Sequence, residues 1–316
     1  MTEVLTTDHI ASVSLADADK HPEAFAQELG RSFVDYGFAV VRDHGIPQEL
    51  IDRAEQKSKE FFALPEDVKR RYHIEGGGGA RGYTPFGIET AKGLKAHDLK
   101  EFWHVGRELP PGHKYGSSMP PNIWPEEVQS FRDTMLELYD TFDRTGVKIL
   151  RAVARFLKID EDYFTDTVRD GNSVMRLLHY PAQTEATGEH IRAGAHEDIN
   201  TITLLLGAEE AGLELKTRDG RWIPVVSRHG ELVINIGDML QRLTNGVLRS
   251  TSHRVVNPAP DRASHARYSM PYFLHFRSDF LIEALPGTVP QGEQPKWPPI
   301  TADEYLQERL REIKLK

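Results

Sequence analysis

The sequence predicts an α+β fold. A mainly helical N-terminal region, residues 1–172, precedes a jelly-roll (double-stranded β-helix) core and C-terminal helix, residues 173–316, and the two form one structural unit. Two observations carry this expectation. Before residue 173 the apolar residues recur at helical intervals of three and four. From Ser173 on they fall into short β-rich runs separated by turn signals about every ten residues, the habit of a sandwich or barrel. Helices first and strands later points to an α+β arrangement rather than alternating units.

In "HPEAFAQELGRSFVDYGFAVV" the positions Phe25, Leu29 and Phe33 repeat every four residues; Gly37 ends the helix and Phe38 to Val41 form a short strand. "PQELIDRAEQKSKEFFALP" is a second helix bounded by Pro47 and Pro65, with Ile51, Ala54, Ser58 and Phe61 or Phe62 on one face. The longest helix is expected over residues 125–157. There Val128, Phe131, Met135, Leu138 and Phe142 step by three and four, and the phase resumes at Ile149, Val153 and Phe156 past Gly146. Residues 75–103 hold four successive glycines, Gly76 to Gly79, which support neither helix nor strand cheaply, so this stretch reads as a mobile loop and a candidate lid. The strand-like runs are "SVMRLLHY", "TITLLLG", "GLELKT", "RWIPVV", "ELVINIG", "HRVVNP" and "RYSMPYFLHF", with Asp219-Gly220 a hairpin signal between the third and fourth. The terminal "ADEYLQERLREIKLK" is an amphipathic helix with Tyr305, Leu306 and Leu310 inward, a cap for the barrel mouth or a contact for a second subunit.

Composition narrows the function classes. The formal charge of -9 and pI near 5.9, with no basic block, disfavour a phosphate-binding surface and hence nucleic acid. The absence of cysteine excludes disulfides, thiolate metal sites and cysteine nucleophiles. The start "MTEVLTTDHIASVSL" lacks the basic and apolar parts of a signal peptide, and no apolar run reaches membrane-spanning length, so a cytoplasmic protein is expected.

The chemistry concentrates in "RAGAHEDINTITLLLG". His196 and Asp198 are two apart on an extended segment and therefore share a face, so imidazole and carboxylate converge on one ion. A third ligand is offered by His253 in "RSTSHRVVNP". Two histidines and one carboxylate with open positions is the facial arrangement of non-haem Fe(II) oxygenases. Fourteen residues past His253, Arg267 and Ser269 again share one strand face, and a guanidinium fork with a hydroxyl suits a carboxylate.

In this order the motifs resemble those of the 2-oxoglutarate and Fe(II)-dependent oxygenases of the isopenicillin N synthase-like group. "HEDINTITLLL", "GLELKTRDGRWIPV", "LVINIGDMLQRLTNGVLRSTSHRVVNP" and "RYSMPYF" look like successive blocks of that group, and "DYGFAVVRDHGIPQELIDRAEQKSKEFFALP" resembles its helical N-terminal region. The resemblance implies that His196, Asp198 and His253 bind Fe(II), and that Arg267, Ser269 and Tyr180 bind 2-oxoglutarate. One departure stands out: Leu178 occupies the position of an asparagine found in many plant members.

As the resemblance implies, dioxygen and 2-oxoglutarate are consumed in an oxidative decarboxylation to succinate and CO2. The oxidising power hydroxylates, desaturates or cyclises a small-molecule substrate. The substrate is expected between the iron and the N-terminal half, which points to Arg81, Tyr83, Phe86, Phe102, Trp103 and Phe273, and Arg81 beside an aromatic pair suits a small acidic or polar molecule. The alternative is a same-fold Fe(II) oxidase that keeps Arg-X-Ser without using 2-oxoglutarate, of the isopenicillin N synthase or aminocyclopropane carboxylate oxidase type.

Overall fold

The β-rich runs form the strands they predict, and the helices cover only one side of them. The computed structural model describes residues 10, 12–88, 98–182, 192–206, 212–228, 230–257 and 264–312. The strands are β1 (Ser12–Ser14), β2 (Phe38–Arg42), β3 (Gly82–Thr84), β4 (Glu101–Gly106), β5 (Val174–Tyr180), β6 (Ala193–His196), β7 (Ile202–Leu206) and β8 (Leu213–Lys216). They continue with β9 (Trp222–Pro224), β10 (Leu232–Ile236), β11 (His253–Val255), β12 (Arg267–Ser269), β13 (Pro271–Leu274), β14 (Leu281–Ile282) and β15 (Ile300–Thr301). The helices are α1 (Asp17–Lys20), α2 (Pro22–Asp35), α3 (Gln48–Phe62), α4 (Glu66–Arg70), α5 (Phe131–Phe156), α6 (Tyr163–Val168), α7 (Asp238–Leu243) and α8 (Ala302–Glu312).

A large sheet runs in the order β1-β2-β10-β7-β13-β5-β4-β3, with β12 also paired to β5; a second sheet runs β6-β11-β8-β9. Alternation along each strand gives the large sheet two unlike faces. One face carries Leu177, Ile202, Leu204, Leu232, Ile234, Tyr272 and Leu274, which form the main core with Leu29 and Phe33 of α2, Phe61 of α3 and Met135, Leu138 and Phe142 of α5. Each such side chain taken from water contributes about 1.5–3 kcal/mol, which is why α2, α3 and α5 stay on this face. The other face looks into the barrel. There Phe38, Val40 and Val233 pack against Leu215 and Ile223 of the small sheet and close the sandwich.

Several sequence expectations are met closely. α2 opens with Pro22 at its first turn and ends before Gly37, whose φ is +71°. α3 lies between Pro47 and Pro65 and buries Ile51, Ala54, Ser58, Phe61 and Phe62. Asp219-Gly220 turns β8 back into β9. In α8, Tyr305 is buried and donates to Asp238 of α7 at 3.0 Å, so this helix packs on its own chain; residues 313–316 of the expected helix lie outside the described residues.

Two expectations are corrected. The glycine-rich stretch 75–103 is not all loop: Gly82–Thr84 and Glu101–Gly106 pair antiparallel and extend the large sheet at its edge. The glycine density hid a short aromatic strand on each side, while residues 89–97 lie outside the described residues. The long helix begins at Phe131 and not at Pro125, because Ser130 adopts a left-handed conformation, φ +60°, that breaks the helical path.

Gly237 precedes α7 and follows β10, and a Cβ there would lie 2.0 Å from the backbone oxygen of Asn200. Backbone on both sides leaves no rotamer to yield. Gly237→Ala is therefore expected to lower unfolding stability by about 1–3 kcal/mol in urea titration, and an unchanged midpoint would contradict this packing.

Candidate active site

The barrel face brings His196, Asp198 and His253 together, with one ligand atom from each lying within 4.8 Å of the others. His196 ends β6 and pairs directly with His253 at the start of β11, and their ring centroids are 4.4 Å apart. Asp198 lies on the turn from β6 to β7, with Oδ1 at 3.7 Å from His196 Nε2 and 3.8 Å from His253 Nε2.

Hydrogen bonds fix which atoms face the centre. His196 Nδ1 lies 2.7 Å from the Gly194 carbonyl and His253 Nδ1 lies 3.0 Å from that of Thr251. A carbonyl oxygen only accepts, so each Nδ1 carries the proton and each Nε2 presents a lone pair inward. The Asp198 Oδ2 accepts from Thr203 Oγ1 at 2.5 Å and Asn235 Nδ2 at 2.7 Å, which turns Oδ1 towards the imidazoles. Thr203 and Asn235 stand on β7 and β10 and point into the barrel, opposite to their apolar neighbours. Phe38 packs edge-on against His253 at 5.5 Å.

Burial pushes the Asp198 carboxyl up, but the two histidines and the bonds from Thr203 and Asn235 outweigh it and hold it below the ordinary aspartate value. Desolvation at the crowded centre, and then neighbouring His253, push His196 below the ordinary imidazole value even though part of its ring reaches the surface. A neutral imidazole beside an ionised carboxylate is the protonation state that metal binding requires. The N, N, O donor set fits Fe(II). His196 is the most accessible ligand, its side chain 39% exposed against 9% for His253 and 6% for Asp198.

Arg267 and Ser269 both point into the same barrel from β12, where Arg267 pairs with Tyr180 and Ser269 with Leu178. The Arg267 guanidinium stands 5.2 Å from the Tyr180 ring centre. Leu178 packs with Phe102 and Tyr180, so the position that is asparagine in many plant relatives supplies an apolar wall beside the clamp.

The residues expected at the substrate divide. Phe102 and Phe273 face the barrel, and Phe273 pairs with Thr203, the residue that holds Asp198. Tyr83 and Trp103 instead face the helices, fully buried against Phe61, so they do not join the metal-facing set. Phe86 is 44% exposed, and Arg81 is buried. Sequence reasoning missed Thr203, Asn235 and Arg176 of β5. It also missed Arg192, wholly buried with its guanidinium 5.9 Å from the Tyr180 ring centre, and the pair Lys100–Asp98, whose Asp98 accepts from the Gly194 amide at 3.0 Å. Asn235 was signalled as the one polar residue in "LVINI".

Known proteins resemble the chain along most of its length. A family model for the 2OG-Fe(II) oxygenase superfamily matches residues 171–276, and one for the non-haem dioxygenase N-terminal region, described for morphine synthesis, matches residues 10–127. A 2-oxoglutarate-Fe(II) type oxidoreductase of Emericella nidulans is 34% identical over 290 residues, covering 89% of this chain and 82% of the relative. A proline hydroxylase of Petromyces alliaceus is 34% identical over 313 residues, covering 94% and 95%. Among solved structures, a Caulobacter crescentus protein described as of the 2OG-Fe(II) oxygenase family superposes with TM-score 0.90 at 55% identity, covering 96% of this chain and 99% of that one. Neurospora crassa T7H in complex with alpha-KG and thymine superposes with TM-score 0.85 at 30% identity, covering 96% of both chains.

The chain belongs to the 2OG-Fe(II) oxygenase superfamily. It is a 2-oxoglutarate-dependent dioxygenase with Fe(II) as cofactor and 2-oxoglutarate and dioxygen as co-substrates, and the same-fold oxidase alternative is set aside.

Two measurements check the centre. Thr203→Val and Asn235→Ala each leave all three ligands in place, and each is expected to weaken Fe(II) binding about 10- to 100-fold by anaerobic titration; unaltered affinity in both would show that the carboxylate needs no bracing. The second concerns acid. His275, buried and just past β13, is pushed down to about 4 by burial, against the charge of Asp198. Its folded value lies below the unfolded one, so its stabilisation is complete above pH 6.5 and is lost as pH falls towards 4. That is worth about 3 kcal/mol from this group alone. The unfolding free energy of the apoprotein should fall over this range, and less steeply in His275→Phe; equal slopes would contradict the assignment.

Proposed function

We propose that His196, Asp198 and His253 hold the Fe(II), that Arg267, Ser269 and Tyr180 hold the distal carboxylate of 2-oxoglutarate, and that the enzyme hydroxylates a C–H bond of a small molecule. The observation that carries this reading is the inward set of two Nε2 lone pairs and the Asp198 Oδ1, on the same barrel face as a buried guanidinium and hydroxyl. Iron, when bound, supplies the activation of dioxygen. The chain's own residues position and desolvate: Arg267 orients the co-substrate, while Leu178, Phe102 and Phe273 line the chamber with apolar surface that limits water.

Relatives support a small molecule as substrate. T7H was crystallised with thymine and with 5-formyluracil, and other relatives are a proline hydroxylase and a homoarginine-6-hydroxylase. The net charge of -9 argues against nucleic acid as partner, and no helix among the described residues is long and apolar enough to cross a membrane. We place the enzyme in the cytoplasm, as its sequence led us to expect. Arg81 and Phe273 are assigned to the substrate side of the chamber. We further propose that residues 1–172 and 173–316 act as one structural unit, a reading supported by the strands β1 to β4 that the first half lends to the large sheet.

An anaerobic visible spectrum tests the assignment. Fe(II) with 2-oxoglutarate is expected to give a charge-transfer band, and Asp198→Ala to abolish it with loss of iron. Arg267→Ala is expected to keep iron but to bind 2-oxoglutarate about 10- to 100-fold more weakly, since charge-assisted hydrogen bonds contribute about 1.5–3 kcal/mol. Full iron affinity and turnover in Asp198→Ala would overturn the triad.

A further inference from the structure

One end of the chamber carries two arginines that the iron and 2-oxoglutarate assignments do not use. Arg176 stands on β5, directly opposite His104 of β4 and on the same face as Leu178 and Tyr180. Its guanidinium lies 4.3 Å from the Phe102 ring centre and 5.4 Å from that of Phe273, and its Nε donates to His104 Nε2 at 2.6 Å. His104 in turn has Nδ1 2.5 Å from the Gly79 carbonyl, so it donates there and accepts from Arg176. The two aromatic rings and the bond to His104 orient the guanidinium of this half-buried residue.

Arg81 lies over Gly106, two residues along β4 on the His104 face. A Cβ on Gly106 would fall 1.9 Å from the Arg81 Cζ, so only glycine leaves room for this side chain. Arg81 is 3% exposed, and of its donors Nη1 bonds the Ala80 carbonyl at 2.7 Å while Nε and Nη2 have no hydrogen-bond partner among the described residues. A buried guanidinium left with open donors is costly, and an anion would satisfy it. Gly106 pairs with Val174, two residues from Arg176 on the same face, so the strand position that the Arg81 guanidinium covers is a diagonal cross-strand neighbour of Arg176.

Building on the proposed site, we infer that Arg81 and Arg176 form an anion-binding subsite that takes the carboxylate of an acidic substrate. Position supports this task. β13 separates β5 from β7, which carries Thr203 and so braces Asp198, placing the subsite roughly 10 Å from the metal side. Hydrogen bonds take up about 3 Å of that span at the arginine end. The remainder fits a small acid whose oxidised carbon is several bonds from its carboxylate, with Phe102 and Phe273 along its flank.

The full chain loaded with Mn(II) and 2-oxoglutarate, with bromide as probe, tests the inference. Anomalous scattering from bromide-soaked crystals is expected to place an ion between the two guanidinium groups, and Arg176→Gln is expected to lose it. In the Fe(II) enzyme, succinate release is then measured over a set of small carboxylic acids and their primary amides. Acids are expected to stimulate at least tenfold more than the matching amides, and Arg176→Gln to raise the KM for a stimulating acid at least tenfold while the iron–2-oxoglutarate band persists. Arg81→Gln gives the second variant should Arg176→Gln fail to fold. An empty position between the arginines in the wild-type crystal, or acids that stimulate no more than their amides, overturns the subsite. A missing charge-transfer band in the wild type overturns the parent assignment instead.

Discussion

The structure turns on the buried carboxylate of Asp198. A charge with 6% of its side chain exposed is stable only if its hydrogen-bond capacity is used, and here the two oxygens divide the work. Oδ2 is held by Thr203 and Asn235, which come from two adjacent strands of the large sheet, so the sheet register itself sets the direction of Oδ1. The histidines are constrained in the same way, each by a carbonyl two residues earlier in its own segment. A ligand set arranged by backbone and sheet geometry before any ion arrives avoids ordering three side chains at the moment of binding.

The same division of faces organises everything around that centre. The outer face of the large sheet is a hydrophobic seat for α2, α3 and α5, and the inner face alternates with it residue by residue. Strand parity therefore sends Thr203 on β7, Asn235 on β10, Arg176 on β5, His104 on β4 and Arg267 on β12 into the chamber, while Glu101 and His179 of β4 and β5 turn to the helix side with Lys69 and Phe62. The small sheet brings His196 and His253 over this face as a directly opposed pair. Metal ligands, co-substrate clamp and the arginine end of the chamber thus share one surface.

Much of this was legible in the sequence, and the reasons are local. Helices α2 and α3 carry proline and glycine boundaries, the strands after Ser173 are bounded by turn residues, and the motif His-X-Asp, distant His, Arg-X-Ser is specific in its order. The rest depends on pairing that no local signal records. β3 and β4 lie on either side of a glycine-rich stretch and become strands only because β5 offers an edge. Tyr83 and Trp103 looked like chamber residues by proximity to that stretch, but strand parity turns them to the helices. Parity likewise decides the importance of Arg176, which in the sequence is one arginine in an apolar run.

The central claim is that the metal centre is built in advance, with both imidazoles protonated at Nδ1 and their Nε2 lone pairs facing Asp198. Long-range proton–nitrogen correlation spectra of the metal-free protein at neutral pH, assigned through His196→Gln and His253→Gln, read the tautomers directly. The account predicts the Nδ1–H form for both His196 and His253 before metal is added. An Nε2–H tautomer, or a rapidly averaging mixture at either residue, would contradict it.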